Sequence, residues 1–154
     1  TSAMTLLGYA DGERSEGASY LEIAEWIQRH CMNVDENLTE LFRRIVFNIA
    51  VSNCDDHLRN HGFIYYPKGW TLSPAYDLTL DPAGYGLKLN ISETDNSLDY
   101  DLALSITPYL GIKKDRAVAI VEQIKSVVAE WRKVAKRYGI SNSEQDLVEN
   151  AFRY

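Results

Sequence analysis

The stretch Asn53-Cys54-Asp55-Asp56-His57-Leu58-Arg59-Asn60-His61 crowds carboxylates, imidazoles, a guanidinium and a side-chain amide between two strongly apolar runs. A polar loop of this kind can be a solvated connector, and density alone does not make it more. Spacing does. Asp55 and Asn60 form an Asp-x-x-x-x-Asn pattern, which is the separation of proton acceptor and metal-binding amide in a phosphoryl-transfer loop. One side chain takes the proton of an attacking hydroxyl while the other holds a cation on the phosphates, and one tight loop can fix both about the same phosphorus.

Phosphoryl transfer is mainly positioning and charge neutralisation, so a second acidic position is needed to bind metal. Asp77 meets the requirement, at the end of Trp70-Thr71-Leu72-Ser73-Pro74-Ala75-Tyr76-Asp77. A hairpin ahead of it would return the chain beside its own start and bring Asp77 back towards Asn60. An amide oxygen and a carboxylate suit a hard cation such as Mg²⁺ or Mn²⁺.

Plainer roles account for the neighbouring residues. His57 and His61 have the spacing of two zinc ligands on a helix, but Leu58 stands where a zinc protease needs its glutamate base. Asp56 reads as a solvated neighbour or a capping residue. Tyr76 reads as an aromatic packed beside a metal-binding aspartate, or equally as a buried core tyrosine. Trp26, Trp70 and Trp131 fall in amphipathic patterns and read as core, and His30 as an exposed helix end. The acidic group Asp95, Asp99 and Asp101 reads as a solvated loop.

The elements that must position these residues are mostly helical. Residues 1–18, with Gly8, Gly12 and Gly17 among charges, read as an irregular surface loop without a core of its own. Ser19 with Glu22 is a capping-box pair, and Tyr20, Ile23, Ala24 and Ile27 recur at helical spacing, giving a helix that ends near Cys31. Leu38, Leu41, Phe42, Ile45, Val46 and Ile49 form the strongest apolar face, with Glu40, Arg43 and Arg44 opposite. Two β-prone runs at 63–66 and 70–72 flank a Pro67-Lys68-Gly69 turn and predict a hairpin. Alternation across 87–91 predicts a short strand or extended segment. A long helix follows from Asp115, with Val118, Val121, Ile124, Val128, Trp131 and Ala135 inward and Gly139 as its stop. A last helix starts at Ser143.

With 154 residues, 45% of them hydrophobic, the chain is in the range of one domain, 1–154, burying roughly two-thirds of its unfolded surface. A net charge of -6 gives no basic field for direct nucleic-acid or anionic-membrane binding. Cys31 and Cys54 have neither disulfide-framework nor zinc spacing, so a reducing cytoplasm is the expected location. No apolar run nears the roughly 20 residues needed to span a bilayer, and 1–18 lacks a signal-peptide layout.

The segment Phe47-Asn-Ile-Ala-Val-Ser-Asn-Cys-Asp-Asp-His-Leu-Arg-Asn-His-Gly-Phe63, followed by Leu72-Ser-Pro-Ala-Tyr-Asp77, closely resembles the HipA-like serine/threonine kinases, the toxins of bacterial toxin–antitoxin systems. The opening Ser2-Ala-Met-Thr-Leu-Leu7 and the helix over 20–27 are similar to the part of those proteins that leads into the catalytic loop, and the resemblance fades after about residue 100. It implies a mainly α kinase-like C-lobe whose small β-hairpin carries the metal-binding Asp77. It also implies ATP and Mg²⁺ or Mn²⁺ as cofactors, a protein substrate with a Ser or Thr acceptor, and an antitoxin partner. Carried over by motif, Asp55 is the catalytic base or hydroxyl-orienting residue. His57 is an orienting or phosphate-contacting group, Asn60 and Asp77 are the metal ligands, and Tyr76 belongs with the cofactor-binding group. Arg59 stands where relatives often have Lys, replacing a point ammonium by a rigid fork.

Kinases of this group also use a phosphate-covering loop and a Lys ahead of the catalytic loop. Here the first lysine is Lys68, and the spacing of Gly8, Gly12 and Gly17 does not match such a loop. The expectation is therefore a C-lobe separated from its N-terminal lobe, weak or inactive alone. The competing readings are a non-catalytic kinase-like module that binds an antitoxin or another protein, and a metal-dependent hydrolase that needs no nucleotide.

Overall fold

A computed structural model of the chain describes residues 1–10 and 17–154. Its elements in order are α1 (Ala3–Leu6), α2 (Tyr20–His30), α3 (Val34–Ala50), a 3-10 turn (Leu58–Asn60), β1 (Phe63–Tyr66), β2 (Gly69–Leu72), α4 (Tyr100–Ser105), α5 (Lys114–Val128), α6 (Trp131–Arg137), α7 (Asn142–Val148) and a 3-10 turn (Glu149–Ala151). The fold is mainly helical with one small antiparallel sheet, as expected.

The centre of the core is α3, which packs against α2, α4 and α5. Leu41, Phe42, Ile45, Val46 and Ile49 on α3 and Ile23, Ala24 and Ile27 on α2 are fully buried. At about 25 cal/mol per Å² of apolar surface, each large side chain among them contributes on the order of 1.5–3 kcal/mol. The expected cap holds the start of α2, where the Glu22 carboxylate accepts the Ser19 backbone N–H at 2.9 Å. Arg44 departs from the amphipathic reading. It is buried, its Nε donates to Glu40 at 2.9 Å, and its Nη2 donates to the Ser73 carbonyl at 2.5 Å. Two of its three guanidinium nitrogens thus find acceptors inside, while Nη1 is buried with no hydrogen-bond partner among the described residues.

The hairpin forms where expected, with Phe63 opposite Leu72 and Tyr66 opposite Gly69. Asn37 of α3 fastens it to the helices: its Oδ1 accepts from the Leu72 backbone at 2.7 Å and the Thr71 hydroxyl at 2.9 Å. The 87–91 segment is extended without becoming a strand. Leu87, Leu89 and Ile91 are buried, and Asn90 makes an isolated parallel bridge to Ser19.

Several expectations are corrected. Residues 1–10 are not a loop without a core: they contain α1, Ala3 is buried, and the Ala3 N–H donates to the His61 carbonyl at 2.8 Å. Gly12 and the charges around it lie outside the described residues. The long C-terminal helix is two, broken after Val128, and Trp131 at the start of the second stacks on Phe152 at 4.0 Å between ring centroids. Its inward face is Ala117, Ile120, Val121, Ile124 and Val128, and Val118 is exposed. Gly139, with φ 78°, ends α6 as expected. The last helix is capped by Ser141, not Ser143. Asp95, Asp99 and Asp101 are exposed, as expected; Asp99 also caps α4 by accepting the Asp101 N–H, and Asp95 accepts both the backbone N–H and the hydroxyl of Ser97.

Candidate functional site

The polar stretch begins where α3 stops. The Asn53 N–H returns to the Asn48 carbonyl at 2.8 Å, one residue further back than a helical bond, and ends the helix. The 3-10 turn Leu58–Asn60 then folds the chain over. Asn60 is buried and its Nδ2 donates to the Asp55 backbone carbonyl at 3.3 Å, so the two residues singled out by spacing are joined across the loop. Since Nδ2 is engaged, Asn60 offers Oδ1 as its remaining donor to a cation. The Asp55 side chain is exposed and keeps its hydroxyl-accepting edge open.

Asp56 does the opposite of what the sequence suggests. It is 3% exposed, and its Oδ2 meets three groups: the Tyr20 hydroxyl at 2.6 Å, Asn48 Nδ2 at 2.8 Å and His61 Nε2 at 2.8 Å. Complete burial, and then the Asp56 charge, push the Tyr20 phenol well above its ordinary range. A buried carboxylate is stable only when donors surround it, and α2, α3 and His61, two residues before β1, supply them. This cluster anchors the loop from beneath and uses His61 as a structural donor, which removes it from the zinc reading. Asn48 was the available sequence signal, a polar residue within the apolar face of α3.

His57 is half-buried. Arg59 Nη2 lies 3.5 Å from its Nε2, and its Nδ1 is buried without a hydrogen-bond partner among the described residues. Arg59 is exposed.

Beyond the hairpin the chain touches this loop and the residue that follows it. The Ser73 N–H donates to the Gly62 carbonyl at 2.8 Å, and the Tyr76 hydroxyl donates to the Arg59 carbonyl at 2.6 Å. Tyr76 is therefore neither core nor idle: it is 45% exposed and ties the second segment to the residue before Asn60. Asp77 follows it, exposed and left-handed with φ 57°. Aspartate adopts that conformation more readily than most residues, at a cost of about 1 kcal/mol or more that surrounding structure must offset. Asp77 lies beyond the end of β2, not on the hairpin itself.

Among the described residues, no group of three or more His, Cys, Asp or Glu side chains converges as a metal cage. Mg²⁺ asks for less, since it is held by one or two protein carboxylates with phosphates and waters completing its octahedron. The oxygen donors Asn60 Oδ1 and the Asp77 carboxylate fit that chemistry.

Comparison with known proteins agrees with this architecture. The family described as the HipA-like C-terminal domain matches residues 1–131. A Haemophilus influenzae protein named "Putative kinase" is 38% identical over 74 residues, covering 46% of this chain and 21% of that protein. The HipA, HipB and operator DNA complex of the Shewanella oneidensis MR-1 toxin–antitoxin system contains a chain that superposes with a TM-score of 0.77 at 16% identity, over 97% of this chain and 40% of that one. The chain thus spans about a fifth of the curated relative and two-fifths of the solved one. Among the described residues no helix is long and apolar enough to cross a membrane.

Proposed function

The chain belongs to the HipA-like C-terminal domain family, and from that premise we propose that it is the catalytic-loop lobe of a protein serine/threonine kinase. The observation that carries the reading is a pair of closures: Asn60 on the Asp55 carbonyl within the loop, and Tyr76 on the Arg59 carbonyl between the loop and the segment of Asp77. In this arrangement Asp55 accepts or orients the proton of the attacking Ser or Thr hydroxyl, and its exposure leaves room for a protein substrate. Asn60 Oδ1 and Asp77 hold Mg²⁺ or Mn²⁺. Bound metal supplies neutralisation of the ATP phosphate charge. His57 and Arg59 flank the loop, with Arg59 presenting a fixed positive fork to phosphate oxygens, and Tyr76 keeps the Asp77 segment against the loop.

For the whole protein we infer ATP-dependent phosphorylation of a protein hydroxyl in the cytoplasm, within a toxin–antitoxin pair. The similar fold of a HipA found with HipB and operator DNA supports an antitoxin as partner. The net charge of -6 gives this chain no basic field for direct DNA contact.

The test is a thermal-shift titration with Mn²⁺ and ATP together, run on the wild type and on Asp77→Asn. A ligand that binds only the folded state raises Tm. The expected result is a nucleotide-dependent rise in the wild type that the variant loses. An equal rise in both removes Asp77 from the site and the kinase reading with it.

A further inference from the structure

Ser52, at the junction of α3 and the 53–61 stretch, is fully buried with a left-handed backbone of φ 50°. A serine stays in that conformation only where its surroundings over-determine it. Its carbonyl accepts the Asp81 N–H at 3.0 Å, which joins it to the segment leaving Asp77. Its hydroxyl donates to the Ala151 carbonyl at 2.8 Å and accepts from Arg153 Nε at 3.0 Å.

Arg153 bonds at this junction through its backbone N–H and carbonyl and through Nε and Nη2. Its backbone N–H donates to the Ala50 carbonyl at 2.8 Å, in the last turn of α3 where carbonyls lack helical partners and positive charge is favoured. Its Nη2 reaches the Gly84 carbonyl at 3.5 Å, and its own carbonyl accepts the Tyr100 hydroxyl. Gly84 in turn lies against Cys54, where a Cβ would stand 2.2 Å from the sulfur. Arg153 therefore touches both the chain leading into 55–60 and the chain leaving Asp77, from a position beyond the family match, which stops at residue 131.

We propose that Arg153 is a positioning residue that holds the 52–60 loop and the 77–84 segment at a fixed spacing, and through them Asn60 and Asp77. What that spacing serves rests on the kinase reading; the coupling of the two segments does not.

The experiment measures amide hydrogen exchange and Mn²⁺–ATP affinity on the wild type, Arg153→Ala, Arg153→Lys and Ser52→Ala, the last two being milder versions of the same cut. Arg153→Ala is expected to speed exchange about tenfold in 52–60 and 77–84 together, leave α2 and the hairpin unchanged, and weaken Mn²⁺–ATP binding several-fold. Arg153→Lys, which keeps the charge and loses the fork, recovers part of both effects. Faster exchange confined to 149–154 overturns the proposal, as does loosening of both segments with wild-type nucleotide affinity. If the wild type binds no nucleotide but the two segments still loosen together, this lobe alone holds no nucleotide site and the coupling stands.

Discussion

Asp55 and Asp56 are adjacent in the chain and opposite in environment: Asp55 is exposed, whereas Asp56 is 3% exposed, with three polar groups within 2.8 Å of one carboxylate oxygen. The loop turns between them, so one carboxylate anchors it and its neighbour faces outward. The two aspartates should separate cleanly on mutation.

Asp55→Ala removes an exposed side chain, and Asn60 grips the backbone of Asp55, which the substitution leaves in place. Stability should change by no more than about 0.5 kcal/mol, while phosphoryl transfer in the complete protein is lost. Asp56→Ala strips the acceptor from Tyr20, Asn48 and His61 and should cost about 3 kcal/mol or more, a fall in Tm of about 6–12 °C for a chain of this size. Thermal denaturation of both variants decides it, and equal Tm changes would contradict the division of labour.

The same cluster sets a behaviour in alkali. Burial, and then the Asp56 charge, raise the Tyr20 phenol well above 10.0. The unfolded chain therefore gives up this proton at lower pH than the folded one. Below pH about 10 the contribution is fully present; above it the unfolded state binds fewer protons, so stability falls by about 1.4 kcal/mol per pH unit for this one group until the folded phenol also ionises. Denaturant titrations at several pH values should show that slope and its loss in Tyr20→Phe. The substitution also removes a donor from Asp56, so it lowers stability near neutral pH by about 1–3 kcal/mol.

Much of this was legible from the sequence because the signals are local. The capping pair Ser19 and Glu22, the apolar periodicity of α3, the Pro67-Lys68-Gly69 turn and the Asp55 to Asn60 spacing each lie within a few residues of what they determine. Arg44, Asp56 and Ser52 were not legible, since charged and polar residues are seldom buried unless partnered and their partners are remote. Asp56 depends on Tyr20, Arg44 on Ser73, and Ser52 on Ala151 and Arg153. The break between α5 and α6 falls at Ala129-Glu130, where no Gly or Pro marks a stop. For Tyr76 the sequence leaves two places open, beside Asp77 or in the core; its hydroxyl bond to the Arg59 carbonyl, a partner seventeen residues back, holds it at the surface.

Gly84 gives a prediction about close approach. A Cβ there would lie 2.2 Å from Cys54 Sγ and 3.2 Å from the Asp81 carbonyl oxygen. The cysteine side chain is short and gives little, so Gly84→Ala should destabilise by about 1–3 kcal/mol. Cys54→Ala in the same chain removes the nearer clash and should recover more than half of the loss. Additive losses in the double variant would show that the two residues do not meet.

Tyr76→Phe tests the seam on which the site depends. The hydroxyl donates to the Arg59 carbonyl at 2.6 Å from a residue that is 45% exposed, so water can replace it and the stability cost should stay near 0.5–1.5 kcal/mol, about 1–6 °C in Tm. The positional cost should be larger relative to it. Without this bond nothing from the Tyr76 side chain fixes Asp77 against Asn60, and a metal held by one residue from each segment loses its defined spacing. Mn²⁺–ATP affinity should therefore fall by about tenfold while the fold survives, equivalent to about 1.4 kcal/mol. Isothermal titration set beside thermal denaturation separates the two effects. Unchanged affinity with a lowered Tm would make Tyr76 a packing residue and leave the return of Asp77 to the hairpin alone.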